Sequence, residues 1–223
     1  MNKTVLVVAA HSDDEALGCG GSIARHVAEG DSVHVVFLAD GVTSRNESVP
    51  DDLVSRIDAT EKACQILGVE SKWFLGLPDN QLDSLPLIEI IKPLEKVIQK
   101  IRPQVVYTHH FGDLNVDHRV SHQAVMTACR PLPKGCVAEM YTFEVMSSTE
   151  WNSPGYLPFT PNMFVDISDF LDVKMRALEA YCEEMRTVPH SRSLDNLTEL
   201  ARHRGKCVGF YAAEAFMTMR VLR

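Results

Sequence analysis

Apolar positions along this chain fall into short solid runs alternating with helical stripes. Val5 to Ala10 is an unbroken apolar run of the kind shown by a strand buried on both faces, and Ala16, Leu17, Gly20, Ile23, Ala24 and Val27 follow at helical spacing. Val33 to Ala39 is a second run, so strand, helix and strand fill residues 4 to 39, the length of a compact βαβ unit. Residues 40 to 52 are polar and read as a loop, Leu53 to Leu67 as a helix that Gly68 stops, and Lys72 to Leu75 as a brief third strand. The turn-rich GLPDNQLDSLP precedes Leu87, Ile90, Ile91, Leu94, Val97 and Ile98, which trace one helical face. After Pro103 comes a fourth strand, Val105 to His109, then a loop to Asp117 and another helical face at Ser121, Ala124, Val125 and Ala128.

Beyond Pro131 the pattern predicts a strand over Ala138 to Val145, a long loop from Ser147 to Pro161, and a strand over Met163 to Ile167. A helix capped by Ser168 and running to Met185 follows, then a shorter helix over Leu194 to Arg204 and a closing strand over Glu214 to Leu222. This order predicts an α/β, Rossmann-like fold: one domain over residues 1 to 223, its mostly parallel sheet flanked by helices on both faces. No internal repeat or linker divides it.

Composition narrows the partners more than the fold. The net charge of -8 argues against nucleic acid, whose binding needs clustered Lys and Arg. Cysteines 19, 64, 129, 136, 182 and 207 form no CxxC pair, so neither a thiolate zinc site nor a disulfide framework is indicated, and a reducing cytoplasm fits. No apolar stretch approaches the ~18 residues of a membrane span, so no membrane insertion is expected.

Candidate chemistry concentrates at two strand-to-helix corners. The first carries His11, Ser12, Asp13, Asp14 and Glu15. Helix capping accounts for one or two carboxylates there; three in succession raise one another's pKa, a strain that a bound cation relieves. The second corner carries Asn115, Val116, Asp117 and His118, and in an open parallel sheet both corners open onto one crevice. A catalytic zinc takes three nitrogen or oxygen ligands and leaves one position open; His11, Asp14 and His118 supply that set. Asp13 is then a carboxylate beside the ion and not on it, placed to take a proton from water for attack on a carbonyl.

The stretch AHSDDE at 10 to 15, the GCGG after it, NVDH at 115 to 118 and LGLPDN at 75 to 80 resemble the LmbE-like family of N-acetylglucosaminyl deacetylases, to which the glycosylphosphatidylinositol-pathway deacetylase belongs. The resemblance runs from about Val5 to His122. It implies a Rossmann-like fold, one Zn2+ per chain, hydrolysis of the N-acetyl group of an amino sugar or its conjugate, and a trimeric or hexameric assembly. By motif position His11, Asp14 and His118 match the metal ligands and Asp13 the general base. Arg56 and Asp79 match positions that resemble sugar-contacting residues; read from the chain alone they are a solvated helix charge and an Asx-turn.

Two departures from the family pattern carry chemistry. Ser12 stands where proline is usual. Asn115 stands where the family has a histidine that polarises the amide or protonates the leaving amine; an amide can donate to an oxyanion but cannot shuttle a proton. The proton then returns from Asp13, with His110, ahead of His109 and His190, as the histidine to assist. Asp117 and Glu15 read as supports, His122 as a spare ligand or an ordinary packed histidine, and Arg45 as a free loop cation or a phosphate contact. Trp151 and Tyr156 read as sugar-stacking or subunit-contact aromatics.

Two other readings use the same residues. Two histidines and a carboxylate also form the facial triad of Fe2+ oxygenases, and other divalent ions suit the same donors. GCGG after a strand suggests a non-catalytic dinucleotide-binding domain, although GxGxxG is not met and carboxylates there repel pyrophosphate.

Overall fold

A computed structural model describes residues 2–41, 50–133, 135 and 137–223. Among these residues lie seven strands: β1 (Thr4–Ala9), β2 (Ser32–Ala39), β3 (Ser71–Leu77), β4 (Val105–His109), β5 (Glu139–Phe143), β6 (Met163–Asp166) and β7 (Ala213–Val221). Six helices accompany them: α1 (Asp14–Ala28), α2 (Pro50–Leu67), α3 (Leu87–Ile101), α4 (Val116–Ala128), α5 (Leu171–Ala180) and α6 (Leu194–Lys206). All these strands belong to one sheet in the order β3-β2-β1-β4-β5-β7-β6. The first five are parallel, while β7 runs antiparallel to both β5 and β6.

Strand alternation explains why both faces are covered. Val5, Val7 and Ala9 of β1 pack into a core with Leu17, Ile23, Leu67 and Leu178 from α1, α2 and α5. Leu6 and Val8 point the other way, into a second core with Ile90, Leu94, Ala124 and Val125 from α3 and α4. The solid apolar runs of the sequence are the signature of this double burial.

Strand order positions the site. The chain moves outward from β1 through β2 to β3, then returns to lay β4 on the other side of β1, so the ends of β1 and β4 are neighbours at the point where the winding reverses. Loops leaving those two ends meet although they lie about a hundred residues apart.

Two expectations are corrected. The helix predicted from Ser168 to Met185 spans only Leu171–Ala180, and Ser168 is not its cap. The Ser168 hydroxyl donates to Asp166 Oδ1 at 2.5 Å and accepts the Ala212 N–H at 3.2 Å, which ties the end of β6 to the start of β7. Past Ala180 the chain turns because Tyr181 is drawn inward, its hydroxyl donating to the buried Glu15 at 2.6 Å. The closing strand is also not at an edge; it is inserted between β5 and β6. Arg45 and Cys136 lie outside the described residues.

The glycine run after β1 serves packing. A Cβ on Gly18 would run into the Phe143 ring and one on Gly21 would lie 2.8 Å from Ile167, whereas one on Gly20 would meet Lys174 Cγ at an ordinary 3.4 Å. Gly18→Ala is therefore expected to cost about 1–3 kcal/mol of stability by overpacking. Gly20→Ala should stay within about 0.5 kcal/mol. Urea denaturation of the two variants checks this, and equal midpoints would refute it.

Candidate metal centre and active site

The corner after β1 is shaped by an unusual backbone. Asp13 has φ 112° and ψ -28°, a left-handed conformation that costs a non-glycine residue about 1–3 kcal/mol. It is the residue before α1, yet its side chain makes no capping bond. Its N–H donates to Glu15 Oε2 at 3.1 Å, and its Oδ2 accepts from Arg192 Nη1 at 3.0 Å. Simple helix capping does not account for this carboxylate, which is buried and borders a cavity of about 550 Å³.

Asp14 stands one residue on, with His11, His109 and His118 around it. Its Oδ2 accepts the His11 N–H at 2.8 Å and lies 3.4 Å from both His11 Nδ1 and His109 Nε2; its Oδ1 lies 3.4 Å from His118 Nε2. Burial opposes its ionisation, but His118 and His109 outweigh that and hold the carboxyl well below the usual range. Burial likewise opposes charge on His118, and Asp14 and Asp113 overcome it to raise the ring to about 9. His11 is also raised against its burial, by Asp117, Asp14 and Asp79.

The far nitrogens of both rings are held by carboxylates. His11 Nε2 is 3.1 Å from Asp117 Oδ2 and 3.1 Å from Asp79 Oδ1, so Nδ1 is the nitrogen left to face Asp14. His118 Nδ1 is 3.2 Å from Asp113 Oδ1, which leaves Nε2 for the same purpose. Asp117 also accepts the N–H groups of Asn80 (2.8 Å) and Leu82 (2.9 Å) and so fastens the loop after β3 to this corner. Asp113 accepts from Ser148, from Thr149 at 2.5 Å and from the Asn115 N–H at 2.9 Å, and is pulled down to about 2 despite its burial.

One donor atom from each of His11, Asp14 and His118 lies within 4.8 Å of the others, and all three residues are buried. Two imidazoles whose remote nitrogens are fixed by carboxylates, plus one carboxylate, form a donor set that fits a divalent ion. These side chains open onto the cavity that Asp13 borders.

Other expected residues fall in several places. Arg56 reaches the cavity half-buried, donating to the Ser12 carbonyl at 2.8 Å and pairing with Glu184; it is not a solvated helix charge. Asp79 reaches it as well, against His11. Asn115 borders the cavity chiefly as the cap of α4: its Oδ1 accepts from the N–H of Asp117 and His118, and its Nδ2 donates to Asn80.

His110 is not brought to the cavity, because its Nε2 donates to the Leu157 carbonyl at 2.7 Å and its ring packs on Phe111 and Phe159. His109 lies under His118 at a ring distance of 3.9 Å, its Nε2 accepting the Ala10 N–H; burial and His118 push it down to about 4, so it stays neutral. His122 donates to the His109 carbonyl, and His190 accepts the Arg192 N–H beside Trp151. Tyr156 is exposed on the wall of a separate cavity.

Sequence reasoning passed over Asp113, Glu184 and Arg192. Asp113 was within reach of it, since a carboxylate five residues before a candidate ligand histidine can turn back on that ring; Glu184 was read as part of a helix, and Arg192 lies far along the chain in a segment without periodicity.

A family comparison bears directly on this geometry. The model of the GlcNAc-PI de-N-acetylase (PIG-L) family matches residues 6–129, more than half of the chain. The chain belongs to this family. The corner after β1, the loop after β3 and the second corner all lie inside the match. A deacetylase of Escherichia coli (strain K12), YaiS, is 30% identical over 185 residues, covering 80% of this chain and 90% of that one. Diacetylchitobiose deacetylase of Thermococcus kodakarensis is 29% identical, covering 80% of this chain and 69% of its own. Among solved structures, protein TT1542 of Thermus thermophilus superimposes with a TM-score of 0.78 at 29% identity, covering 99% of this chain and 97% of that one. PIG-L family membership and these relatives make the chain a deacetylase-type hydrolase acting on amide bonds. Among the described residues no helix is long and apolar enough to cross a membrane.

Asp113→Ala would strip His118, Ser148, Thr149 and the Asn115 N–H of a shared acceptor. The expected cost is about 3–5 kcal/mol, as for a broken buried ion pair. Guanidinium unfolding measures it, and a loss under about 1 kcal/mol would show that Asp113 does not bear this load.

Proposed function

We propose that this protein removes the N-acetyl group of an amino sugar or its conjugate, with one divalent ion, Zn2+ by preference, on His11, Asp14 and His118 and with Asp13 as general base. When bound, the ion would supply Lewis-acid polarisation of the amide carbonyl and of the attacking water. Asp13 accepts the proton of that water. Arg192 anchors its Oδ2, and the same carboxyl delivers the proton to the departing nitrogen. Burial raises this carboxyl to about 6, which suits a group that must both take and return a proton near neutrality. Arg56, Asp79 and Asn115 form the wall against the sugar, while His110 serves the loop behind it.

The observation that carries this reading is the treatment of Asp13. A strained, buried carboxylate, kept off the helix end and held by Arg192 beside three convergent metal donors, has a use in hydrolysis. An Fe2+ oxygenase site needs no such base. The dinucleotide reading fares worse, because Asp13, Asp14 and Glu15 fill the start of α1 and the glycines pack against side chains. The substrate class draws support from the relative named for diacetylchitobiose.

Acetate release from N-acetylglucosamine and its nucleotide and lipid conjugates, measured beside metal content, tests the proposal. Asp13→Asn should keep its metal and lose about 10²-fold or more in turnover. Chelation should abolish activity and added Zn2+ restore it. A metal-loaded protein that releases no acetate from any of these would overturn the substrate assignment; full turnover by Asp13→Asn would remove Asp13 as the base.

A further inference from the structure

Helix α1, which carries Asp14, is broken in the middle. At Cys19 the backbone leaves helical values (φ -149°, ψ 24°). In a continuous helix the Gly21 N–H would donate to the Leu17 carbonyl and the Ser22 N–H to that of Gly18. Across the break the Leu17 carbonyl and both N–H groups need other partners, since buried backbone groups are costly to leave unpaired.

One buried ion pair provides them. Lys174 Nζ, from α5, donates to Leu17 O at 2.8 Å and to Glu214 Oε1 at 2.5 Å. Glu214, from β7, accepts the Gly21 N–H on Oε1 at 2.9 Å and the Ser22 N–H on Oε2 at 2.7 Å. Side-chain exposure is only 5% and 4%, so water does not do this work. The proposed chemistry uses neither charge.

A buried ion pair is a weak source of stability, because desolvation consumes much of the Coulomb gain. An apolar pair beside an unbroken helix would pack as well. What an apolar pair cannot do is take over backbone hydrogen bonds in the gap of a helix and hold its first turns to α5 and β7, independently of its second half. Those first turns begin with Asp14, directly after Asp13. Gly18 admits the Phe143 ring at the break, and the Lys174 stem packs beside Gly20.

We infer that the Lys174–Glu214 pair is a positioning device that fixes the direction of the first turns of α1 and thereby places Asp14 against His11 and His118. The inference rests on the metal-site reading above. Lys174 and Glu214 are positioning residues and touch neither substrate nor ion.

The test is Zn2+ affinity, measured by competition with a chromophoric chelator, alongside thermal unfolding. Lys174→Met/Glu214→Gln removes both charges together and leaves no lone buried ion. The expected result is a cooperatively folded protein that binds Zn2+ about 10-fold or more weakly, the scale seen when supports of a metal ligand are lost. A folded variant with unchanged Zn2+ affinity, whatever its melting temperature, would overturn the inference.

Should that variant not fold, hydrogen exchange on the wild-type protein decides. Coupling between sites is reciprocal, so Zn2+ must slow exchange of the Gly21 and Ser22 amides at the far side of the break. Identical exchange with and without Zn2+ refutes the coupling. Wild-type protein that binds no Zn2+ at all would instead sink the metal-site reading itself.

Discussion

A carboxylate shut away from water and ringed by imidazoles is the constraint from which this site follows. Asp14 cannot be buried as an isolated anion, since the solvation it gives up is worth several kcal/mol. His11 and His118 take the place of that water, and they in turn draw Asp113, Asp117 and Asp79 to the backs of their rings. The result is a layered arrangement of charge in which each negative group is faced by a positive or polarisable one. Such a set is stable only when the groups are fixed, and that rigidity is what the proposed ion and the proposed base beside it both require.

Rigidity comes from the sheet. β1 and β4 are adjacent and parallel, so the chain leads into His11 from hydrogen-bonded backbone, while His118 sits in the first turn of α4 beyond a loop that Asp113 and the Asn115 cap hold in place. Asp117 then ties the loop after β3 to the same corner through two backbone N–H groups. The segment after α5 closes the opposite side, with Glu184 on Arg56 and Arg192 on Asp13. Five separated parts of the chain, α2 with its Arg56 among them, thus converge on one cavity, each through a charged group.

The α/β architecture was legible because double burial leaves solid apolar runs and helix faces leave stripes. The end of α5 was not, because Tyr181 and Met185 continue the helical spacing while the turn is enforced by the Tyr181–Glu15 bond, a contact no local pattern contains. The place of β7 was hidden for a related reason: strand order is a property of the whole sheet. At the site, His11, Asp14 and His118 announced themselves by chemical type at two strand ends. Arg192 did not, since its partner lies 179 residues away and a lone arginine in a polar segment has no periodicity to mark it. Asn115 was read for the donor it could offer a substrate, when its place before α4 already indicated a capping residue.

The position of β7 gives the molecule an order of assembly. This strand is made on the ribosome after every other described element, yet it lies between β5 and β6 and its Glu214 reaches back to the first helix. A nascent chain that has not yet released it has an open gap in its sheet and loose amides in the helix that begins at Asp14. Until this strand emerges, β6 lacks its partner in the sheet and the Gly21 and Ser22 amides lack their acceptor.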